Sequence, residues 1–316
     1  MDTWVQRLAL IAGPEIAGYR VEPGPAMAVH PDVRMSPFYP PGASFDRDCR
    51  VARHERLDRA LHLELISEAG REDRQPRYAG IRWEGGQAVL LVGPTHFREV
   101  RATNARATRD PSWDSLLREA GQQEFGDEGA YFSNALAVTT AVASESGEAI
   151  VGRRGSTTVL YPRFWHVPGG QLESDCRFLD LPQPGAHLAG KAAEQAAREI
   201  EEEYGIPRES QFSALTGLVD GLSNVTFTYR TAVALPAEEI LRRAGAAADA
   251  ADHDAYRILR TPGEVHDFVV QTRDIVPAGA GALLSSLRLS DPEAFASAVA
   301  RMTQYPVTVH NRDARR

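Results

Sequence analysis

The run Ala197-Arg198-Glu199-Ile200-Glu201-Glu202-Glu203-Tyr204-Gly205-Ile206 decides how this chain is read. At 3.6 residues per turn, Glu199, Glu202 and Glu203 stand at i, i+3 and i+4, so their carboxylates crowd one helix face. Ala193, Ala196, Ile200 and Tyr204 mark a neighbouring face that can be buried. Like charges this close repel, and folding alone does not require them. A hard cation with oxygen ligands offsets the repulsion, Mg²⁺ first and Mn²⁺ as the alternative. Arg198 can pair with a carboxylate and orient it, and Gly205-Ile206 closes the helix where glycine is the favoured stop. A glutamate-rich helix face is more often a solvated surface, so the meaning of the run depends on what precedes it.

Upstream stands Val167-Pro168-Gly169-Gly170, a strand end and a glycine turn where backbone approaches something closely. The order is glycine turn, helix, then R-E-apolar-x-E-E-x-G-apolar. This order resembles the signature of the Nudix hydrolases, which split X-linked nucleoside diphosphates. The family's box is shorter between its second glycine and its arginine, and it carries a glutamate where this chain has Gly190. The extra stretch, Ser174 to Leu188, contains Pro182, Pro184 and Gly185 and reads as an inserted loop. Glu173, next to the glycines, is a candidate to act for the missing residue.

A second stretch, Thr95-His96-Phe97-Arg98-Glu99-Val100-Arg101-Ala102-Thr103-Asn104, has the composition of a polar loop with one aromatic. It resembles a run in the UDP-glucose/UDP-galactose diphosphatase branch of that family. The branch also carries an insertion after its glycine turn and an arginine pair, matched by Arg153-Arg154. The resemblance implies that Phe97 stacks on the base and that Arg154 contacts the diphosphate. It places Glu173, Gly169, Gly170 and Gln171 near the substrate, and makes Glu199 and Glu203 metal ligands. Glu202 is the third candidate ligand by geometry. Gln171 and His166 replace a histidine and an aspartate of the branch. Glu199, Glu202, Glu203 and Arg198 form the expected catalytic set, with Glu264 as a further base or ligand ahead of a strand at Val265. His96 and Trp165 lie beside the motifs, and ordinary polar or packing roles are expected of them.

With 43% apolar and 25% charged residues the chain is an ordinary globular protein, and 316 residues suit two domains. A net charge of −8 argues against a nucleic-acid partner bound by phosphate neutralisation. Cys49 and Cys176 lack metal-type spacing and fit a reduced, cytoplasmic setting. Leu8–Ala12 is too short to span a membrane. The expected partner is a small nucleotide sugar, without nucleic acid or membrane, and a homodimer is common in the family.

Organisation along the chain suggests a smaller α+β unit over 1–130 that contributes to the substrate site, then a Nudix domain over 131–310. In the first, a turn is expected at Phe38–Ser44, a helix at Asp46–Glu68, a hairpin from Tyr78–Trp83 and Ala88–Val92, and a helix at Trp113–Ala120 after Asp110-Pro111, with Ser112 or Asp114 near its start. In the second, strands are expected at Leu136–Ala143, Ala149–Arg153, Ala214–Val219, Val225–Leu235 and Val265–Gln271. Helices follow at Ala237–Ala244, Gly281–Leu287 and Asp291–Met302, and Asn311–Arg316 reads as a frayed end. Mixed strands with helices on either side describe an α/β (α+β) chain folded as an α/β/α sandwich. The function this implies is Mg²⁺-dependent hydrolysis of UDP-glucose or UDP-galactose to UMP and sugar 1-phosphate. Other nucleoside diphosphate derivatives (ADP-ribose, a dinucleotide, coenzyme A) are the alternative substrates, and a non-catalytic nucleotide-sugar-binding module is the alternative class.

Overall fold

The computed structural model describes residues 9–28, 50, 74–156, 158, 160–174, 176–221 and 224–302. The strands are β1 (Ala9–Ala12), β2 (Arg20–Pro23), β3 (Arg74–Glu84), β4 (Gln87–His96), β5 (Leu136–Ala143), β6 (Ala149–Arg154), β7 (Trp165–His166), β8 (Gly169–Gln171), β9 (Gln211–Asp220), β10 (Val225–Val233) and β11 (His253–Leu259). The helices are α1 (Phe97–Val100), α2 (Pro111–Phe125), α3 (Pro184–Tyr204), α4 (Ala237–Ala244), α5 (Pro262–Gln271), α6 (Pro277–Ser290) and α7 (Pro292–Arg301). The expected features at 38–44, 46–68 and 311–316 lie outside the described residues. None of the described helices is long and apolar enough to cross a membrane.

Two units are distinguished. One contains the described parts of Met1–Ala17, Ala137–Gly170 and Ala192–Arg316, the other those of Gly18–Leu136 and Gln171–Lys191. The division is therefore not a single cut near residue 130. β1 pairs antiparallel with β9 and so joins a sheet built mostly from the second half of the chain.

In the first unit the strand order is β1-β9-β10-β5-β6-β11, with β7 beside β6 and β8 beside β5. Neighbouring residues of one strand serve opposite faces, as a two-residue period demands. Val142 and Ile150 pack with Ile200, Tyr204 and the α4 residues Ala237, Ile240 and Ala244. Ala141 and Val151 instead join Val265, Phe268, Leu283, Leu284 and Ala298 from α5, α6 and α7. Helices therefore cover both faces, an α/β/α arrangement. Each fully buried Ile or Leu here contributes roughly 1.5–3 kcal/mol.

Hydroxyls tie the middle strands together. Thr231 Oγ1 lies 2.8 Å from Thr140 Oγ1 and 2.7 Å from Ser213 Oγ, linking β10 to β5 and β9.

The second unit carries a mixed three-stranded sheet, β2-β4-β3, with β2 parallel and β3 antiparallel to β4. The expected hairpin turns at Gly85 and Gly86, whose φ values of 55° and 86° favour glycine at both positions. Its core gathers Trp113 and Leu117 of α2 with Met27, Tyr131 and Phe132. The cap of α2 is Asp110, directly before Pro111. Its side chain accepts the N–H of Ser112 at 3.1 Å and of Trp113 at 3.2 Å. Arg77, 1% exposed, donates to the carbonyls of Phe132, Pro25 and Gly129 at 3.1, 3.0 and 2.8 Å. Burial pushes its guanidinium down to about 10.

Two expectations need correction, and one strand was missed. Val265–Gln271 is helical, within α5, because Thr261-Pro262 supplies a cap and a proline in the first turn. The stretch Ser174–Leu188 is only partly a loop, since α3 already starts at Pro184, where a missing N–H costs nothing. Strand β11 was not legible as one, being an edge with mixed burial and no clean alternation.

Candidate functional site

Helix α3 presents its C-terminal half to the sheet through Ala192, Ala196, Ile200 and Tyr204, all at 0% exposure. Their spacing of four residues holds one face inward. Ala193, expected on that face, is exposed, and Ala192 takes the place. With Ile200 and Tyr204 seated in the core, the neighbouring Glu203 is drawn in with them and is buried.

Glu203 Oε1 accepts the backbone N–H of Gly169 at 3.1 Å. Its Oε2 is also buried, finds no hydrogen-bond donor among the described residues, and stands 3.4 Å from His253 Nε2. Loss of solvent pushes Glu203 up to about 8, and the nearby Glu199 charge adds to the rise. The Glu199 carboxylate lies against Gly170, where any Cβ would collide with its Oε1. Burial also raises Glu199, opposed by a hydrogen bond donated by Gln195 Nε2 to its Oε1. Gln195 Oε1 in turn accepts from Arg198 Nη2 at 2.6 Å. Arg198 is thus linked to Glu199 through an intervening amide.

Arg154, at the end of β6, feels the charges of these acids and acts in turn on two histidines. Burial lowers its pKa, while Glu203, Asp252 and Glu199 oppose that change. Its backbone partner across β6–β11 is His253. Burial, then the Arg154 charge, depresses His253 to about 4. His166 lies deeper and is pushed well below the ordinary value by burial, Arg154 and His253. Gly152 makes room for the His253 ring, since a Cβ there would meet Cδ2. The two imidazoles are therefore neutral near pH 7, and the positive charge facing the carboxylates is the guanidinium of Arg154.

Three carboxylates around one point are not formed. Among the described residues no group of three His, Cys, Asp or Glu side chains is arranged to hold a metal ion. Glu202 is directed elsewhere, with Oε1 4.0 Å from Arg198 Nε and its side chain 43% exposed. The pair Glu199 and Glu203 does fit a hard cation, because Glu203 leaves a buried oxygen without a donor and bare Gly170 leaves Glu199 its berth. Mg²⁺ characteristically takes one or two carboxylates and fills its remaining positions with water and phosphate oxygens.

Glu264 does other work. It is exposed in the first turn of α5, where its N–H meets Thr261 Oγ1 at 3.1 Å and its Oε2 accepts the Arg260 N–H at 2.9 Å. That is a helix cap, correcting the expectation of a base ahead of a strand. Trp165 packs edge-on against Phe268 at 5.8 Å, an apolar role.

Phe97, Gln171 and Glu173 belong to the other unit. Phe97 opens α1, so the supposed loop is a helical turn continued by Arg101–Ala105. Its polar residues bind one another. Glu99 Oε2 accepts from Thr95 Oγ1 at 2.7 Å and the His96 N–H at 3.1 Å, and Asn104 exchanges hydrogen bonds with Asn134 at 2.9 Å. Gln171 Oε1 accepts from Gln75 Nε2 at 2.5 Å, and Glu173 is exposed.

Reading the sequence missed Gln195 and His253. Gln195 had a usable signal, standing four residues before Glu199 on the same helix. His253 had none, since β-pairing across about a hundred residues brings it in.

No family model matches the chain, and no curated protein matches it. Among solved structures it is similar in part to DR0079 from Deinococcus radiodurans. That likeness has 17% identity and a TM-score of 0.32, over 48% of this chain and 80% of the other. It is also similar to a MutT protein from Methanosarcina mazei Go1, with 14% identity and a TM-score of 0.30, over 49% of this chain and 94% of the other.

Proposed function

We propose that the chain is a Nudix-type diphosphatase that uses a divalent cation, Mg²⁺ first and Mn²⁺ as the alternative. The observation that carries this reading is the pairing of buried Glu203 with the Gly169 amide, beside Glu199 and Arg154. Two acids and one half-buried arginine around a glycine turn suit a diphosphate bridged by a cation. A structural ion pair would have no need of the bare backbone at Gly170.

When bound, the cation supplies positive charge against the diphosphate oxygens. Glu199 and Glu203 would hold it, and Glu203 must first give up the proton that burial favours. The Gly169 N–H fixes the Glu203 carboxylate, and Gln195 with Arg198 fixes that of Glu199, so neither has to reorganise during reaction. The Arg154 guanidinium is suited to donate to a phosphate oxygen and steady the charge on the departing phosphate.

The proposed substrate is a nucleotide sugar, UDP-glucose or UDP-galactose, giving UMP and a sugar 1-phosphate. This choice is supported by the three segments that resemble that branch: the Thr95–Asn104 run, Arg153-Arg154 and the interrupted glycine–glutamate box. Phosphate release from a panel of nucleotide sugars, ADP-ribose, dinucleotides and coenzyme A, coupled to a phosphatase with and without Mg²⁺, tests it. UDP-sugar turnover that vanishes on chelation is the expected result. Binding without turnover of any of these would establish the non-catalytic module instead.

A further inference from the structure

Away from Glu203, the sheet face covered by α5 and α6 holds a cavity of about 210 Å³. Its walls include Ala143, Val265 and Leu287, and its polar lining includes Thr261, Ser286 and Arg230. Neither Glu199, Glu203 nor Arg154 lines it.

The two arginines of this cavity differ. Arg260 is neutralised twice, by Glu148 at 2.7 Å and Glu238 at 3.0 Å. The side chain of Arg230, half-buried on β10, has no ion pair, hydrogen bond or ring contact among the described residues. An arginine on the helix-covered face of a sheet, with alanine, leucine and serine around it, gains nothing for the fold from its charge. The hydroxyls of Thr261 and Ser286 in the same lining can each donate one hydrogen bond.

We propose that this cavity binds a small organic anion, a carboxylate or phosphate monoester carrying a short apolar tail. The Arg230 guanidinium takes the head group in a forked hydrogen bond, and Ala143, Val265 and Leu287 take the tail. The space suits a tail of about four carbons. This site is separate from the diphosphatase reading and stands if that reading fails.

Butyl phosphate and butyrate, titrated calorimetrically into the full chain, test the proposal and separate the two head groups. At least one should bind the native chain, and Arg230→Met, which keeps the length and drops the charge, should weaken it about tenfold or more. Hydrogen–deuterium exchange on the native chain should slow over 283–290 when the anion is added, a readout that does not depend on the variant folding. Arg230→Met should leave nucleotide-sugar hydrolysis unchanged. The proposal is overturned if neither anion binds below about 10 mM. Equal affinity in Arg230→Met, or protection confined to other segments, overturns it too.

Discussion

Glu203 and Gly169 are joined by a single hydrogen bond of 3.1 Å, side-chain carboxylate to backbone amide, across 34 positions of sequence. Through it the glycine turn and the glutamate helix become one object. The turn presents the Gly169 N–H at the start of β8, which pairs with β5, and the helix presents a carboxylate because Ile200 and Tyr204 fix its rotation.

Removing the negative charge while keeping the shape should therefore separate chemistry from folding. Glu203→Gln is expected to lower Mg²⁺-dependent turnover by about two or more orders of magnitude with an unchanged circular dichroism spectrum. Full metal-dependent activity in this variant would refute the assignment.

The raised pKa of Glu203 also predicts a pH signature. Between its ordinary value of 4.5 and about 8, the folded chain keeps a proton that the unfolded chain has shed. The contribution is complete below the unfolded value and is lost as pH rises through the folded one. Buried His253 and His166 act in the opposite direction, but only below the histidine value of 6.5. Without divalent ions, the native chain should lose Tm relative to Glu203→Gln between about pH 6.5 and 8, and Mg²⁺ should restore it. Parallel Tm curves for the two proteins across that window would count against the buried acid.

Gly170 offers a test of placement rather than charge. Gly170→Ala puts a methyl group where Glu199 Oε1 now lies, so the carboxylate must swing away. Divalent-ion affinity, read by calorimetry, should drop about tenfold or more. Gly190→Ala, with nothing close to the added methyl, should leave it unchanged.

Glu264 should behave as a cap and nothing else. Glu264→Ala is expected to lower Tm by about 2–4 °C and to change kcat less than twofold. A large fall in kcat would return Glu264 to the chemistry.

In the other unit, Arg77→Met removes a donor from three backbone carbonyls, of which Gly129 keeps the Phe132 N–H and those of Phe132 and Pro25 lose the guanidinium. A loss of about 3 kcal/mol or more is expected by urea titration. Activity effects should follow the fraction folded.

How far the sequence could be read depended on distance along the chain. The α3 signature was legible because helical periodicity is local and Glu199, Glu203, Ile200 and Tyr204 declare it together. Helix α4 was legible from Pro236 ahead of it, and the Gly85-Gly86 hairpin from its two glycines. Strand β11 was not, because an exposed edge needs no alternation, and with it went His253. Val265–Gln271 misled because a short apolar run satisfies either period, and only the Thr261-Pro262 cap decides for helix. Glu202 misled differently. Helix spacing puts it near Glu199 and Glu203, but spacing alone does not say which neighbour a side chain faces, and it turns to Arg198.

The bonded hydroxyls of Ser213, Thr231 and Thr140 have a consequence for how the large sheet assembles. Valine and isoleucine would tolerate a slide of β10 along its neighbours, since one greasy contact is much like the next. An alcohol buried off its mark is stranded without a partner and costs about 1–3 kcal/mol. Misaligned versions of the sheet are thus disfavoured by the buried hydroxyls of Thr231 and Thr140, which hold β10 to one alignment beside β5.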